Sequence, residues 1–180
     1  AVAMNWVTVE NCKLIGPWDG MWADNSFCFT MQGTDCYSTY DGLRLQNAAQ
    51  FNINDCYIHT DGTWTPTQPF RGIFGGTFAA GDPVSDLMHG TINNSAVHSV
   101  VSQAMTGAGY AAGMDLSGNV SLNNTEVVGR LTNASSTSAA YGIHEYQADA
   151  SNITVNGGVI GTSNAGSGVN KQIGLNGGTG

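Results

Sequence analysis

A two-part phrase returns six times along this chain, and it restricts the protein to a stacked, strand-based architecture. The first part is an apolar alternation that ends in a tight polar turn and a second apolar pair. It reads VTVENCKLI (Val7 to Ile15), FTMQGTDCY (Phe29 to Tyr37), FNINDCYIH (Phe51 to His59), a degenerate SDLMHGTIN (Ser85 to Asn93), VSLNNTEVV (Val120 to Val128) and ITVNGGVIG (Ile153 to Gly161). The second part is a glycine followed by a large aliphatic residue: Gly20-Met21, Gly42-Leu43, Gly72-Ile73, Gly113-Met114, Gly142-Ile143 and Gly174-Leu175. Period-2 alternation in short runs, repeated at solenoid-like intervals, makes each copy one coil of a stack. The expected fold is therefore all-β: a single-stranded right-handed parallel β-helix of about six coils.

Aligned copies form columns. Val9, Met31, Ile53, Leu87, Leu122 and Val155 take one inward position, and Leu14, Cys36, Ile58, Ile92, Val127 and Ile160 take another across the turn. A stacked core requires each column to be apolar throughout, as these are. Between them stand Asn11, Gly33, Asp55, His89, Asn124 and Gly157, mostly residues that tolerate a left-handed backbone. Just before the bend, Gln32, Asn54, Asn123 and Asn156 offer side-chain amides that can hydrogen-bond between coils spaced about 4.8 Å apart. Glu10 and Met88 interrupt that ladder.

A charged fraction of only 10%, with 25 glycines and 41% hydrophobic residues, suits turns and stacked strands better than surface helices. The net charge of -8 argues against nucleic acid and anionic membranes as partners, because phosphate binding needs cations. No apolar stretch is long enough for membrane insertion, and no signal-like leader opens the chain. Residues 1–180 read as one domain; the missing initiator Met and Gly-rich end suggest a fragment of a longer chain. Cys12 and Cys56 share a column with Thr34 between them, about 9.6 Å apart and too far for a disulfide. No Cys/His spacing resembles a zinc site, so neither metal nor cofactor is expected.

The copies differ in length at one corner. From anchor to glycine the early copies are short (Val9 to Gly20, Met31 to Gly42), and the later ones are longer (Ile53 to Gly72, Leu122 to Gly142). Loops therefore project from that corner: His59 to Phe70, Asn93 to Ala112 with a possible short helix over Ala96 to Met105, Arg130 to Tyr141, and Thr162 to Gln172. Such loops carry binding, shield a face or contact a neighbouring subunit. Glu145 falls inside on the count from Gly142, and a bulge turning Tyr146 inward would relieve the cost of burying it.

Chemistry is expected on the outward columns beside the repeat glycine. Asp19, Asp41 and Arg71 precede it, Trp18, Tyr40 and Phe70 stand one residue earlier, and Trp22, Arg44, Phe74, Asp115 and His144 follow two residues after it. Aromatic faces beside carboxylates and guanidinium groups suit a glycan, whose C–H faces stack and whose hydroxyls hydrogen-bond. Trp18, Trp22, Tyr40, Arg44 and Arg71 are thus candidate substrate-binding residues. Carboxylates on adjacent coils, about 5 Å apart, have the spacing of a glycosidase pair, so Asp19 and Asp41 are the candidate catalytic residues. Asp-Gly is also a common turn dipeptide, which gives the same aspartates a purely structural role.

The coils VTVENCKLIG…DGMWADN, FNINDCYIHTDG and NITVNGGVIGTS resemble the right-handed parallel β-helix of the pectate-lyase-like superfamily. That family includes pectin lyases and hydrolases, adhesins, and the trimeric tailspikes and tail fibres of bacteriophages. The acidic, lysine-poor, Gly/Ser/Asn/Thr-rich character is most similar to a tailspike or fibre body. The resemblance implies an extracellular or virion-surface homotrimer that recognises a host-surface polysaccharide and can act as a depolymerase, by hydrolysis more readily than by elimination. Its alternatives are a secreted lyase, which would hold Ca2+, and a structural or adhesin shaft without catalysis.

Overall fold

The computed structural model describes residues 4–24, 26–46, 50–62, 67–76, 89–145 and 152–175, in which all regular structure is β-strand. Sixteen strands, numbered in chain order, fall into two sheets in which every pairing is parallel. The larger sheet has ten strands. One wing holds β1 (Met4–Glu10), β4 (Ser26–Gln32), β7 (Gln50–Asn54) and β10 (His89–Asn93). The other holds β2 (Lys13–Gly16), β5 (Asp35–Ser38), β8 (Tyr57–Thr60) and β11 (Ala96–Val101), and β13 (Asn119–Leu131) and β15 (Asn152–Asn164) run through both. The second sheet has six strands: β3 (Met21–Asp24), β6 (Asp41–Gln46), β9 (Phe70–Gly76), β12 (Tyr110–Leu116), β14 (Ala139–Glu145) and β16 (Asn170–Leu175).

Two parallel sheets of ten and six strands replace the expected single-stranded right-handed β-helix. The first half of the phrase bends inside one sheet, where β13 and β15 continue unbroken across the turn; the glycine half assembles separately into the other. Each copy thus forms one tier that contributes to both sheets.

The sheets enclose a core of Met31, Cys36, Leu43, Ile53, Ile58, Ile73, Ile92, Val97, Met114, Leu122, Val127 and Ile143. The glycine column sets how closely they approach. A Cβ at Gly72 would lie 2.5 Å from the Gly113 carbonyl oxygen and 2.8 Å from Val97 Cγ1, and Gly20, Gly42 and Gly113 are similarly confined. These glycines therefore exist for space: side chains of the larger sheet press on backbone of the smaller.

At the bend, Asn11, Asp55, Asn94 and Asn124 have φ between 47° and 51°, with Gly33 at 55° and Gly157 at 75°. In the first five tiers the residue after the bend supplies a donor: Cys12 Sγ, Thr34 Oγ1, Cys56 Sγ, Ser95 Oγ and Thr125 Oγ1 each donate to the carbonyl two residues back. The amide ladder is continuous from Asn54 to Asn156. Asn93 donates to Asn54 at 2.7 Å, Asn123 to Asn93 at 2.7 Å, and Asn156 to Asn123 at 3.0 Å.

The fourth copy is HGTINNSAVHSV, five residues later than the alternation suggests. Ile92 pairs with Ile53 and Leu122, Val97 with Ile58 and Val127, and Asn94 rather than His89 occupies the bend. Leu87 and Met88 lie outside the described residues. Gly90 accounts for the shifted register. It takes the position held by Phe29, Phe51 and Val120 in other tiers, and a Cβ there would meet the Phe51 ring at 2.4 Å. In the sixth copy Ile173 pairs with Ile143, so Gln172, not Gly174, falls opposite Gly142.

The later connections also depart from projecting loops. Ala96–Val101 is strand β11, not a helix. The segments that follow stack on one another: Thr132 N donates to Val101 O, Thr137 N to Met105 O, Ala165 N to Leu131 O and Ser167 N to Ser136 O. Beneath them Phe70, Val101, Met105, Ala111, Leu131 and Ala140 form a second apolar cluster. Residues 63–66 of the first loop lie outside the described residues. Glu145 is buried, in register with Leu116 and Leu175; Tyr146 lies outside the described residues.

All four cysteines are free. Burial pushes the Cys36 thiol up to about 12, and it donates to the Gly42 carbonyl at 3.0 Å. Alkylation of the native protein at pH 8 is expected to modify Cys12 and spare Cys36 until unfolding, as peptide mass mapping would show. Gly72→Ala is expected to cost about 1–3 kcal/mol in denaturant unfolding. Gly161→Ala, where the nearest atom lies at 3.5 Å, is expected to be close to neutral.

Candidate functional site

The outer face of the second sheet gathers the polar and aromatic residues that flank the glycine column. Register places Trp22, Arg44, Phe74, Asp115 and His144 on successive tiers, and sets Asp41 beside Arg71 and Ala112 beside Tyr141. Of the seven residues expected from sequence, Trp22, Asp41, Arg44 and Arg71 lie on strands of this sheet, while Trp18, Asp19 and Tyr40 lie in the connections just before β3 and β6, and Tyr40 also packs against the second apolar cluster.

The deeper layer centres on Arg71. Its Nε and Nη2 donate to the two oxygens of Asp41 at 2.8 and 2.7 Å, and Nη1 reaches Asp115 Oδ2 at 3.4 Å. The guanidinium carbon lies 3.7 Å from the centre of the Phe74 ring and 5.6 Å from that of Tyr40. Asp41 is fully buried and the Arg71 side chain is 5% exposed. Asp115 also accepts from the Tyr110 hydroxyl and lies 2.8 Å from His144 Nδ1; Tyr110 and Tyr141 both pack against the His144 ring.

Burial and ion pairing compete at the centre of this layer. Burial pushes Asp41 up to about 6 against the pull of Arg71. For Arg71 burial opposes the charge, but Asp41 and Asp115 outweigh it and hold the guanidinium above its ordinary range. Tyr110 is raised, first by burial and then by Asp115. The cluster is a closed ionic network whose partners satisfy one another.

The shallower layer lies toward the first tier. Arg44 Nη1 approaches Asp19 Oδ2 at 3.5 Å, and the Arg44 guanidinium lies 4.9 Å from the centre of the Trp22 ring. Trp18 packs edge-on against Tyr40, with centroids 6.0 Å apart. Trp18 and Trp22 remain 50% and 55% exposed. Burial raises the Asp19 pKa and Arg44 opposes the shift; Asp19 Oδ1 is buried without a hydrogen-bond partner. This layer presents two half-exposed indoles beside a largely buried Asp19–Arg44 ion pair.

The column reading placed Asp115 and His144 on this face without giving them a role. Tyr110 was missed altogether, because it joins through side-chain reach from the start of β12 and no repeat position marks it. Among the described residues no group of three or more His, Cys, Asp and Glu side chains is placed to hold a metal ion. No family model, curated protein or solved structure matches the chain.

Replacing Arg71 by Met leaves Asp41 buried without its main partner, an expected loss of about 3–5 kcal/mol at pH 7 in denaturant unfolding. Burial is then less opposed, so the folded-state pKa of Asp41 rises above about 6, further from 3.8. A raised folded pKa gives stability that is complete below the unfolded value and lost as pH rises through the folded one. The variant is therefore expected to recover part of its deficit on acidification toward pH 4, relative to wild type.

Proposed function

We propose that the protein is a polysaccharide-recognition module of the tailspike or tail-fibre type, contacting a host-surface glycan through Trp18, Trp22, Tyr40, Arg44 and Asp19. The observation that carries this reading is the pair of half-exposed indoles flanking the Asp19–Arg44 ion pair. An indole exposed beside fixed hydrogen-bonding groups suits a pyranose ring, which has an apolar face and a polar rim. Asp41 and Arg71 act beneath the surface, holding Tyr40 and Phe74 and thereby the ridge above them.

Recognition is favoured over chain cleavage through Asp19 and Asp41. A general acid must reach the glycosidic oxygen, whereas both Asp41 oxygens are engaged by Arg71 at zero exposure. In this reading the module works as a homotrimer on the virion or outside the cell, needing no cofactor.

A panel of capsular and O-antigen polysaccharides tests the proposal. Wild type is expected to bind at least one member, with Trp22→Ala and Trp18→Ala each weakening it about tenfold, ~1.4 kcal/mol, without release of reducing ends. Binding that ignores both tryptophans would remove the ridge from the proposal. New reducing ends that disappear in Asp19→Asn would restore a depolymerase.

A further inference from the structure

A second surface, on the outside of the bend in the larger sheet, forms an open, shallow cleft lined mostly by exposed residues. Its volume is about 560 Å³, and it crosses four tiers between the bend residues Asp55, Asn94 and Asn124 and the outward column Tyr57, Ala96 and Glu126. The cleft exists because of Ala96. Register aligns Asp35, Tyr57, Ala96, Glu126 and Val159 on successive tiers, and alanine leaves a gap between a ring and a carboxylate two tier spacings, about 9.6 Å, apart.

The tyrosine wall of that gap is held by its neighbours. His98, two residues after Ala96 on the same face, has Nδ1 3.4 Å from the Tyr57 hydroxyl, and its Nε2 lies 3.4 Å from Glu126 Oε1. The Tyr57 ring is stacked on His59, with centroids 4.3 Å apart and planes 13° from parallel, yet Tyr57 is 42% exposed. Asn124 donates to Asn94 Oδ1 at 3.1 Å, which leaves the Asn94 amino group and the Asn124 carbonyl oxygen for a ligand. Asp55 accepts from Gln32 through Oδ2, and its other oxygen is similarly left.

The geometry points to a second saccharide-binding site here, selective for neutral oligosaccharides. Carboxylates and amides at fixed spacing match the alternating donors and acceptors of vicinal hydroxyls, and a braced tyrosine supplies a stacking face. No Lys or Arg lines the cleft. Asp55 and Glu126 would repel uronates and other anionic sugars, so the site selects uncharged chains. This inference rests on the glycan-binding reading above and adds the class of sugar and a second point of attachment on a different face.

The test is NMR titration of the whole chain with malto-, cello- and manno-oligosaccharides, and with oligogalacturonate as the anionic probe. At least one neutral probe is expected to shift the side-chain amides of Asn94 and Asn124. Ala96→Phe, which fills the gap from an outward position, is expected to weaken that binding at least tenfold, and Trp22→Ala to leave it unchanged. Shifts confined to Trp18 and Trp22 overturn the second site and leave the proposed function standing. Equal shifts of Asn94 and Asn124 by oligogalacturonate overturn the selectivity. If none of the probes moves the Asn94 and Asn124 amides, the inference falls, whatever the polysaccharide panel shows for the ridge. The wild-type shift map stands whether or not Ala96→Phe folds.

Discussion

The close approach of the two sheets at the glycine column is the constraint on which the remaining structure depends. At Gly20, Gly42, Gly72 and Gly113 a single added carbon would come within 2.5 to 2.8 Å of the carbonyl oxygen of the next tier. Side chains of the larger sheet, from Cys36 and Ile58 to Val97 and Val127, press against this strip of bare backbone. With the sheets this near, Leu43, Ile73, Met114 and Ile143 reach the core beside the strip, and the flanking residues turn outward. The same strip that closes the core therefore sets the outer face of the second sheet. Asp41, Arg71, Arg44 and Trp22 stand where they do because a glycine sits between their positions.

Spacing reveals columns, and columns were the legible part of this fold. The inward aliphatic positions, the left-handed bend and the asparagine ladder all follow from residue type at a repeated offset. Division into two sheets was not legible, because alternation describes one strand and its faces, not which neighbouring segments share a sheet. The fourth tier differs for a local reason: the Phe51 ring fills the space of the next tier's first apolar position, so Gly90 stands where a large residue is expected, two residues before the anchor Ile92. Leu87 then offers a false anchor. Gly174-Leu175 misled in the same way, two residues beyond the position opposite Gly142.

The candidate sites show a similar division. Shared placement of Trp22, Asp41, Arg44 and Arg71 on one sheet was legible, but depth was not. Whether an outward side chain is wet depends on what packs over it, and Asp41, Phe74 and Asp115 are fully buried despite their outward positions. The bend cleft left no positive signal at all. It arises from a missing side chain at Ala96 and from groups on four different tiers, so no single copy of the phrase contains it.

Depth also decides what each charge can do. The chain has five Lys and Arg residues against thirteen Asp and Glu. Two of the five, Arg44 and Arg71, lie on the outer face of the second sheet, where each meets a carboxylate. Arg71 is consumed by Asp41 and Asp115 and sits against Phe74, so its role is to make a rigid floor from charges that would otherwise be costly to bury. Arg44, less buried and with a longer contact to Asp19, lies beside a half-exposed indole. A surface organised this way has a fixed base and a more exposed edge, and the proposed recognition rests on that division.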